Sequence, residues 1–157
     1  MQRTHVFVLV GVLLAGFVGW RVMSDVGQAD ITILGASLQV PVADTFMEQR
    51  VGLGKYDEPE DVPGGGLLFV FDEEDERTFW MKGMAFDLDV VWIRDGKVVA
   101  VQEDIPAPKK GEDPVSFTSE PLLIDMALEL SAGSVDQLGI LAGMPITVSL
   151  DGEVVIW

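Results

Sequence analysis

Pro121-Leu122-Leu123-Ile124-Asp125-Met126-Ala127-Leu128-Glu129-Leu130, the stretch PLLIDMALEL at residues 121–130, decides the fold. Its composition suits a helix, since Leu, Met, Ala and Glu are good helix formers. Its order does not. Leu122, Ile124, Met126, Leu128 and Leu130 recur every second residue and share one face of a strand, whereas a helix would place its apolar residues three and four apart. A strand is therefore predicted. Upstream, Leu88–Arg94 and Lys97–Glu103 flank Asp95-Gly96; downstream, Pro145–Leu150 and Glu153–Trp157 flank Asp151-Gly152. Asp-Gly supplies the two positive-φ positions of a two-residue hairpin turn, so both pairs read as hairpins. Leu67–Phe71 has the length and aromatic content of a buried strand, and Thr78–Lys82 resumes one after a charged turn at Asp72–Arg77. Ile31–Leu34 and Leu38–Val42 form a further hairpin about Gly35-Ala36-Ser37. Helix signals are few. Thr45-Phe46-Met47-Glu48 is a capping box opening a helix to about Val51, ended by Gly52 and Gly54, and Ser134-x-x-Gln137 caps one turn ending at Gly139. Lys55–Gly66 and Ile105–Pro114 read as loops. About eight short strands with two short helices predict a mostly-β domain, a small barrel or sandwich, over residues 30–157, with no internal repeat or dividing linker.

Ahead of this domain, Val6–Trp20 (VFVLVGVLLAGFVGW) is uncharged and almost wholly apolar between Arg3 and Arg21. As a helix those residues rise about 22 Å, and extending the count from His5 to Met23, with Arg21 reaching the interface, approaches the roughly 30 Å of a bilayer core. One N-terminal hydrophobic helix is expected. Residues 1–29 are then either a membrane anchor with a short linker or a signal peptide cut before Asp30, with Gly27 and Ala29 as the small flanking residues. Either reading puts the domain outside the cytoplasm, membrane-anchored or secreted.

Composition narrows the chemistry. The 157 residues contain no Cys, and the single His is His5, outside the expected domain. Disulfides, thiol nucleophiles, Cys or His metal sites and a Ser-His-Asp triad are excluded there. No cofactor or metal is expected. With 10 Lys+Arg against 26 Asp+Glu the net charge is −16. Such a surface repels phosphate backbones, so nucleic acid is not expected as a partner. The expected partners are the membrane, through the N-terminal segment, and a small polar ligand or another protein.

Arg50-Val51-Gly52-Leu53, Gly66-Leu67-Leu68-Phe69-Val70-Phe71, Phe79-Trp80-Met81-Lys82, Leu88-Asp89 and Leu128-Glu129-Leu130-Ser131-Ala132-Gly133 occur in this order. In these blocks the chain resembles the domain-of-unknown-function 192 family from about Ile31 to Leu150. The resemblance implies a small, β-rich domain, exported or membrane-anchored, and supplies no reaction. The chain departs from the family pattern at Gly54, where Met is usual, at Gly83-Met84, where Asn-Thr is usual, and at Asp87, where Pro is usual.

Trp80 and Lys82 lie on one face of their strand, Phe79 and Met81 on the other. Trp80 beside Lys82 could stack on a sugar or bind an acidic group; equally, one pair could pack in the core while Lys82 neutralises a carboxylate. Arg50, Lys82, Asp89 and Glu129 are the charged residues within the family blocks, and each neighbours apolar positions, so they form either a structural ion-pair network or a pocket lining. Trp80, Lys82, Asp89, Arg50 and Glu129 are the candidate ligand-binding residues, and no catalytic residue is assigned. Asp87 and Asp89, two apart on one strand face, could couple as acid and base or hold calcium. Asp57–Asp61 and Asp72–Glu76 lack the spacing of a calcium loop and read as solvated faces. Gly64-Gly65-Gly66 precedes a strand and is not a phosphate loop. The leading expectation is a non-catalytic binding module for a small polar ligand, glycan or peptide. The alternatives are an envelope-polymer hydrolase using carboxylate or Lys chemistry, and a membrane-tethered assembly protein that pairs through a strand edge.

Overall fold

A computed structural model describes residues 27–155. The expected N-terminal hydrophobic helix lies outside the described residues, and among those no helix is long and apolar enough to cross a membrane. The chain runs β1 (Gln28–Ile33), β2 (Ala36–Ala43), α1 (Phe46–Val51), two single 3-10 turns (Pro59–Asp61 and Pro63–Gly65), β3 (Gly66–Asp75), β4 (Thr78–Trp80), β5 (Leu88–Arg94), β6 (Lys97–Ile105), β7 (Ser116–Thr118), β8 (Ile124–Ser131), α2 (Ser134–Leu138), β9 (Ile146–Leu150) and β10 (Glu153–Val154). Among the described residues the domain is mostly β, with ten strands and two short helices.

Eight strands form one mixed sheet in the order β10-β9-β1-β2-β3-β8-β5-β6, and β4 pairs with β7 in a separate ribbon. The sheet is not closed into a barrel, which corrects the expectation from sequence. It curls until its ends meet at one point, a lone bridge between Lys97 and Pro145, supported by Val98 N–H donating to the Met144 carbonyl at 2.9 Å. No ladder grows from that bridge. Further along the same edge of β9, Leu150 and Ser149 pair with β10, which occupies the place a closing strand would take.

Three hairpins turn on two residues with positive φ at both, Asp95-Gly96 (51° and 64°), Asp151-Gly152 (49° and 85°) and Leu34-Gly35 (50° and 84°). The first two are as expected. The third replaces the expected Gly35-Ala36-Ser37 turn, because Ile33 pairs with Ala36 and leaves only Leu34-Gly35 between the strands. The twist of such a turn matches that of its strands, and Leu34 adopts the left-handed region to gain it. Another correction concerns Asp72–Arg77. β3 continues to Asp75, exposed and irregular: Val70 pairs with Met126 but Asp75 with Ile124, so four residues of β3 bulge opposite Asp125 alone.

β8 lies between β3 and β5 and is buried on both faces. Met126, Leu128 and Leu130 join Ile31, Val40, Leu68, Val91 and Val148 in the core enclosed by the curled sheet. On the opposite face Ala127 packs with Phe69, Trp92, Val90 and Leu67, under a lid made by the β4–β7 ribbon and its loops. Phe79 of β4 is the hub of this lid, edge-on to Phe69 at 5.1 Å and to Trp92 at 5.3 Å, and stacked on Phe117 of β7 at 5.6 Å. Pairs of this kind are worth about 0.5–1.5 kcal/mol each beyond their burial. The strand face that carries Ala127 also carries Asp125 and Glu129.

Candidate functional site

α1 begins as the sequence requires. The Thr45 side chain accepts a hydrogen bond from the Glu48 N–H at 3.3 Å and the Glu48 carboxylate accepts from the Thr45 N–H at 3.1 Å. The parallel pairing of β2 with β3 covers only Val42–Leu68 and Ala43–Phe69. Where it stops, the Gln49 side-chain amide donates to the Ala43 carbonyl at 3.3 Å and to the Val70 carbonyl at 2.9 Å. One side chain thus fastens the helix across the gap between the two strands. α1 ends at Gly52 with φ 54° and ψ −142°, a conformation open only to glycine.

This placement brings Arg50 over Trp80, its guanidinium carbon 5.7 Å from the ring centroid. β4 is shorter than expected, ending at Trp80, with Met81 and Lys82 beyond the strand; Phe79 packs into the lid and Met81 is fully buried, while Trp80 is 47% exposed. Between α1, β4 and the face of β3 and β8 lies a cavity of about 250 Å³, whose lining includes Arg50, Gly52, Phe69, Phe71, Arg77, Phe79, Trp80, Lys82 and Glu129. This volume falls just below the usual range for small-molecule clefts, which starts at about 300 Å³. Arg77 lays its guanidinium over Phe71 at 4.3 Å and donates to the Glu73 carbonyl at 2.7 Å, while its Nε is buried with no hydrogen-bond partner.

Glu129 forms the floor. Its residue is 6% exposed, and its Oε2 is buried with no hydrogen-bond partner. Burial pushes its pKa up to about 8, opposed only by a hydrogen bond from the Leu53 backbone. At neutral pH the carboxyl is therefore mostly protonated, and it can both donate and accept a hydrogen bond. The charges left on the lining are those of Arg50, Arg77 and Lys82. In a chain of net charge −16 this gathers positive charge against aromatic walls.

Four of the five candidate residues, Arg50, Trp80, Lys82 and Glu129, therefore converge on one cavity. Asp89 does not line it. Asp89 is fully buried in β5, where Oδ1 accepts from the Asp104 N–H at 3.1 Å and Oδ2 from the Val135 N–H at 3.0 Å. The second bond caps α2 from outside the helix. Ser134, expected to cap α2, is instead its first residue; the N-cap is Gly133, which offers no side chain. Asp87 is likewise spent on the backbone, its Oδ1 accepting from the Ala107 N–H at 2.7 Å. Arg77 is a lining residue that sequence reading missed, because it sits at the end of an acidic run that reads as solvated turn.

Comparison with known proteins agrees with this architecture. A family model described as "Uncharacterized ACR" matches residues 29–148. No curated protein matches. Among solved structures, a proposed transcription regulator of Sinorhizobium meliloti 1021 is 25% identical, with a TM-score of 0.61 over 76% of this chain and 91% of that one. A protein of unknown function from Novosphingobium aromaticivorans DSM 12444 is 26% identical, with a TM-score of 0.57 over 76% of this chain and 82% of that one. The matched residues include β1 from its second residue, every strand from β2 to β8 and all four residues that meet in the cavity, and the chain belongs to the domain-of-unknown-function 192 (DUF192) family.

Proposed function

We propose that this domain is a non-catalytic binding module, and that the cavity beneath α1 takes a small polar ligand bearing an anionic group. One observation carries the reading: Arg50, Arg77 and Lys82 line the same aromatic-walled cavity whose floor is Glu129, with its Oε2 left without a hydrogen-bond partner. An anion would meet the three cations, a hydroxyl or amide would satisfy Glu129, and a ring or apolar face would lie on Trp80. Sugar acids, small carboxylates and the acidic ends of short peptides all have this chemistry. The apolar run at Val6–Trp20 supports export, with the domain tethered to a membrane or released outside the cytoplasm. The Sinorhizobium relative's description as a proposed regulator does not alter the partner expected here. Duplex DNA would meet a chain of net charge −16, against the counterion release that drives such binding.

The test is a thermal-shift screen of the full-length chain against sugar acids, small carboxylates, neutral sugars and short acidic peptides, because any ligand of the native state raises the melting temperature. The expected result is a chemically related set of anionic hits that disappears in both Lys82→Ala and Trp80→Ala. A blank screen, or hits that survive both substitutions, overturns the reading.

Hydrolysis is a second reading, favoured by a buried carboxyl that holds its proton near neutral pH as a general acid must. Two-carboxylate glycoside hydrolysis needs a partner acid within about 5–9.5 Å. Among the described residues Glu129 is the one carboxyl on the cavity lining. Turnover of an envelope polymer that vanishes in Glu129→Gln would favour this reading over simple binding.

A further inference from the structure

On the strand face that carries Glu129, but at the far end of β8, three carboxylates from three separate parts of the chain come together. Glu74 projects from the bulge of β3, Asp95 from the β5–β6 turn and Asp125 from β8. One carboxylate oxygen of each lies within 4.8 Å of the other two. The topology enforces the meeting. Asp125 is the single β8 residue opposite the four-residue bulge that carries Glu74, and the Asp95 N–H donates to Asp125 Oδ2 at 2.9 Å. Bulges of this kind re-aim side chains.

Acidic clusters at a surface are ordinary, but this one has a buried member. Asp125 is 7% exposed, and its Oδ1 is buried with no hydrogen-bond partner. A buried carboxylate oxygen is normally satisfied by a donor, and leaving one bare is costly. The other two members of the cluster, Glu74 and Asp95, are also acidic, so the cluster repels itself. A cation held by both carboxylate oxygens of Asp125 would remove the repulsion and satisfy the bare one together.

We propose that Glu74, Asp95 and Asp125 form a site for a hard divalent cation, calcium by preference. All three donors are carboxylate oxygens, which select calcium, magnesium or manganese over softer metals. Oxygens this closely spaced can share one calcium ion at the usual 2.3–2.6 Å, with water completing the shell. Two of the three side chains are exposed and free to adjust, which suits the irregular coordination of calcium better than the strict octahedron of magnesium. The site joins β3, the β5–β6 turn and β8, so an ion there would clamp the bulged end of the sheet. It is separate from the cavity beneath α1, whose lining contains none of the three. Neither acidic run has calcium-loop spacing, because the ligands come from different strands.

The test uses the full-length chain stripped with chelator, then titrated with calcium chloride and, separately, magnesium chloride by calorimetry and thermal shift. The expected result is one calcium per chain, with affinity in the roughly 0.1–1 mM range of extracellular calcium modules, and a matching rise in melting temperature. Binding should weaken at least tenfold in Asp125→Asn. It should also weaken in Asp95→Asn, a substitution that leaves an Asn-Gly pair well suited to the same turn and so tests the site even if Asp125→Asn fails to fold. Absence of saturable binding at 10-fold above that range overturns the proposal. Equal binding in wild type, Asp95→Asn and Glu74→Gln does so as well, since it would place the ion elsewhere on the acidic surface.

Discussion

Glu129→Gln is the substitution that interrogates the cavity floor most directly. In the folded chain the carboxyl is held near 8, against an ordinary value of 4.5, chiefly by burial. Its folded value is raised, so the native state holds a proton that the unfolded state has released. Stability from this group is complete below about pH 4.5 and is lost progressively as pH rises toward 8, after which the loss is constant. At about 1.36 kcal/mol per pH unit, the interval from 4.5 to about 8 corresponds to roughly 5 kcal/mol as an upper bound. Gln has the size of protonated Glu and cannot ionise. The assay is urea denaturation of wild-type and Gln chains at pH 5, 6, 7, 8 and 9. Subtracting one profile from the other cancels the contribution of the acidic surface common to both. The two proteins should be nearly equal at pH 5, and the Gln chain should be the more stable by several kcal/mol at pH 9. Parallel profiles would refute the reasoning, because they would mean that the carboxylate ionises in the folded chain as readily as in water, compensated by Arg50, Arg77 or Lys82.

Asp89→Ala should cost about 2–5 kcal/mol, since it leaves the buried N–H of Val135 and the part-buried N–H of Asp104 without their acceptor, and Asp89→Asn should cost less. Denaturant midpoints measure this, and ligand affinity in the folded fraction should be unchanged because Asp89 does not line the cavity. Gly64→Ala should prevent folding outright: a Cβ at that position would lie 1.7 Å from the Gln39 carbonyl oxygen, and a collision with backbone cannot be relieved by a rotamer change. Soluble yield and circular dichroism would show it, and a well-folded alanine variant would contradict the close approach of that 3-10 turn to β2.

Local rules carried much of the fold. The alternation in residues 121–130 identified β8, the two Asp-Gly pairs identified their hairpins, and the Thr45–Glu48 box identified the start of α1. What was hidden depends on contacts distant in sequence. Openness of the sheet turns on β10 occupying part of one edge of β9, which no local pattern encodes. β7 is three residues long and is held by its pairing with β4, so its own composition gives little signal. The candidate site divides the same way. Trp80 follows from alternation in β4, Lys82 reaches the cavity from the turn just beyond that strand, and Arg50 and Glu129 stood out as charges among apolar neighbours. That Asp89 turns instead to the backbone of α2, 46 residues away, is a tertiary fact. So is the role of Asp125, whose meaning comes from a bulge in β3 that its own strand does not reveal.

The position of β1 has a consequence for the order of assembly. It is hydrogen-bonded on one side to β2, its immediate successor, and on the other to β9, with Ile33 beside Ile146 and Ala29 beside Leu150. The earliest of the described strands to be synthesised is therefore among the last to acquire its full set of neighbours. Pairings of such long sequence separation form late and slowly. In the interval the outer edge of β1 stands open to strands of other chains. Completion of this domain is a C-terminal event, and its most vulnerable moment falls just before residues 146–150 arrive.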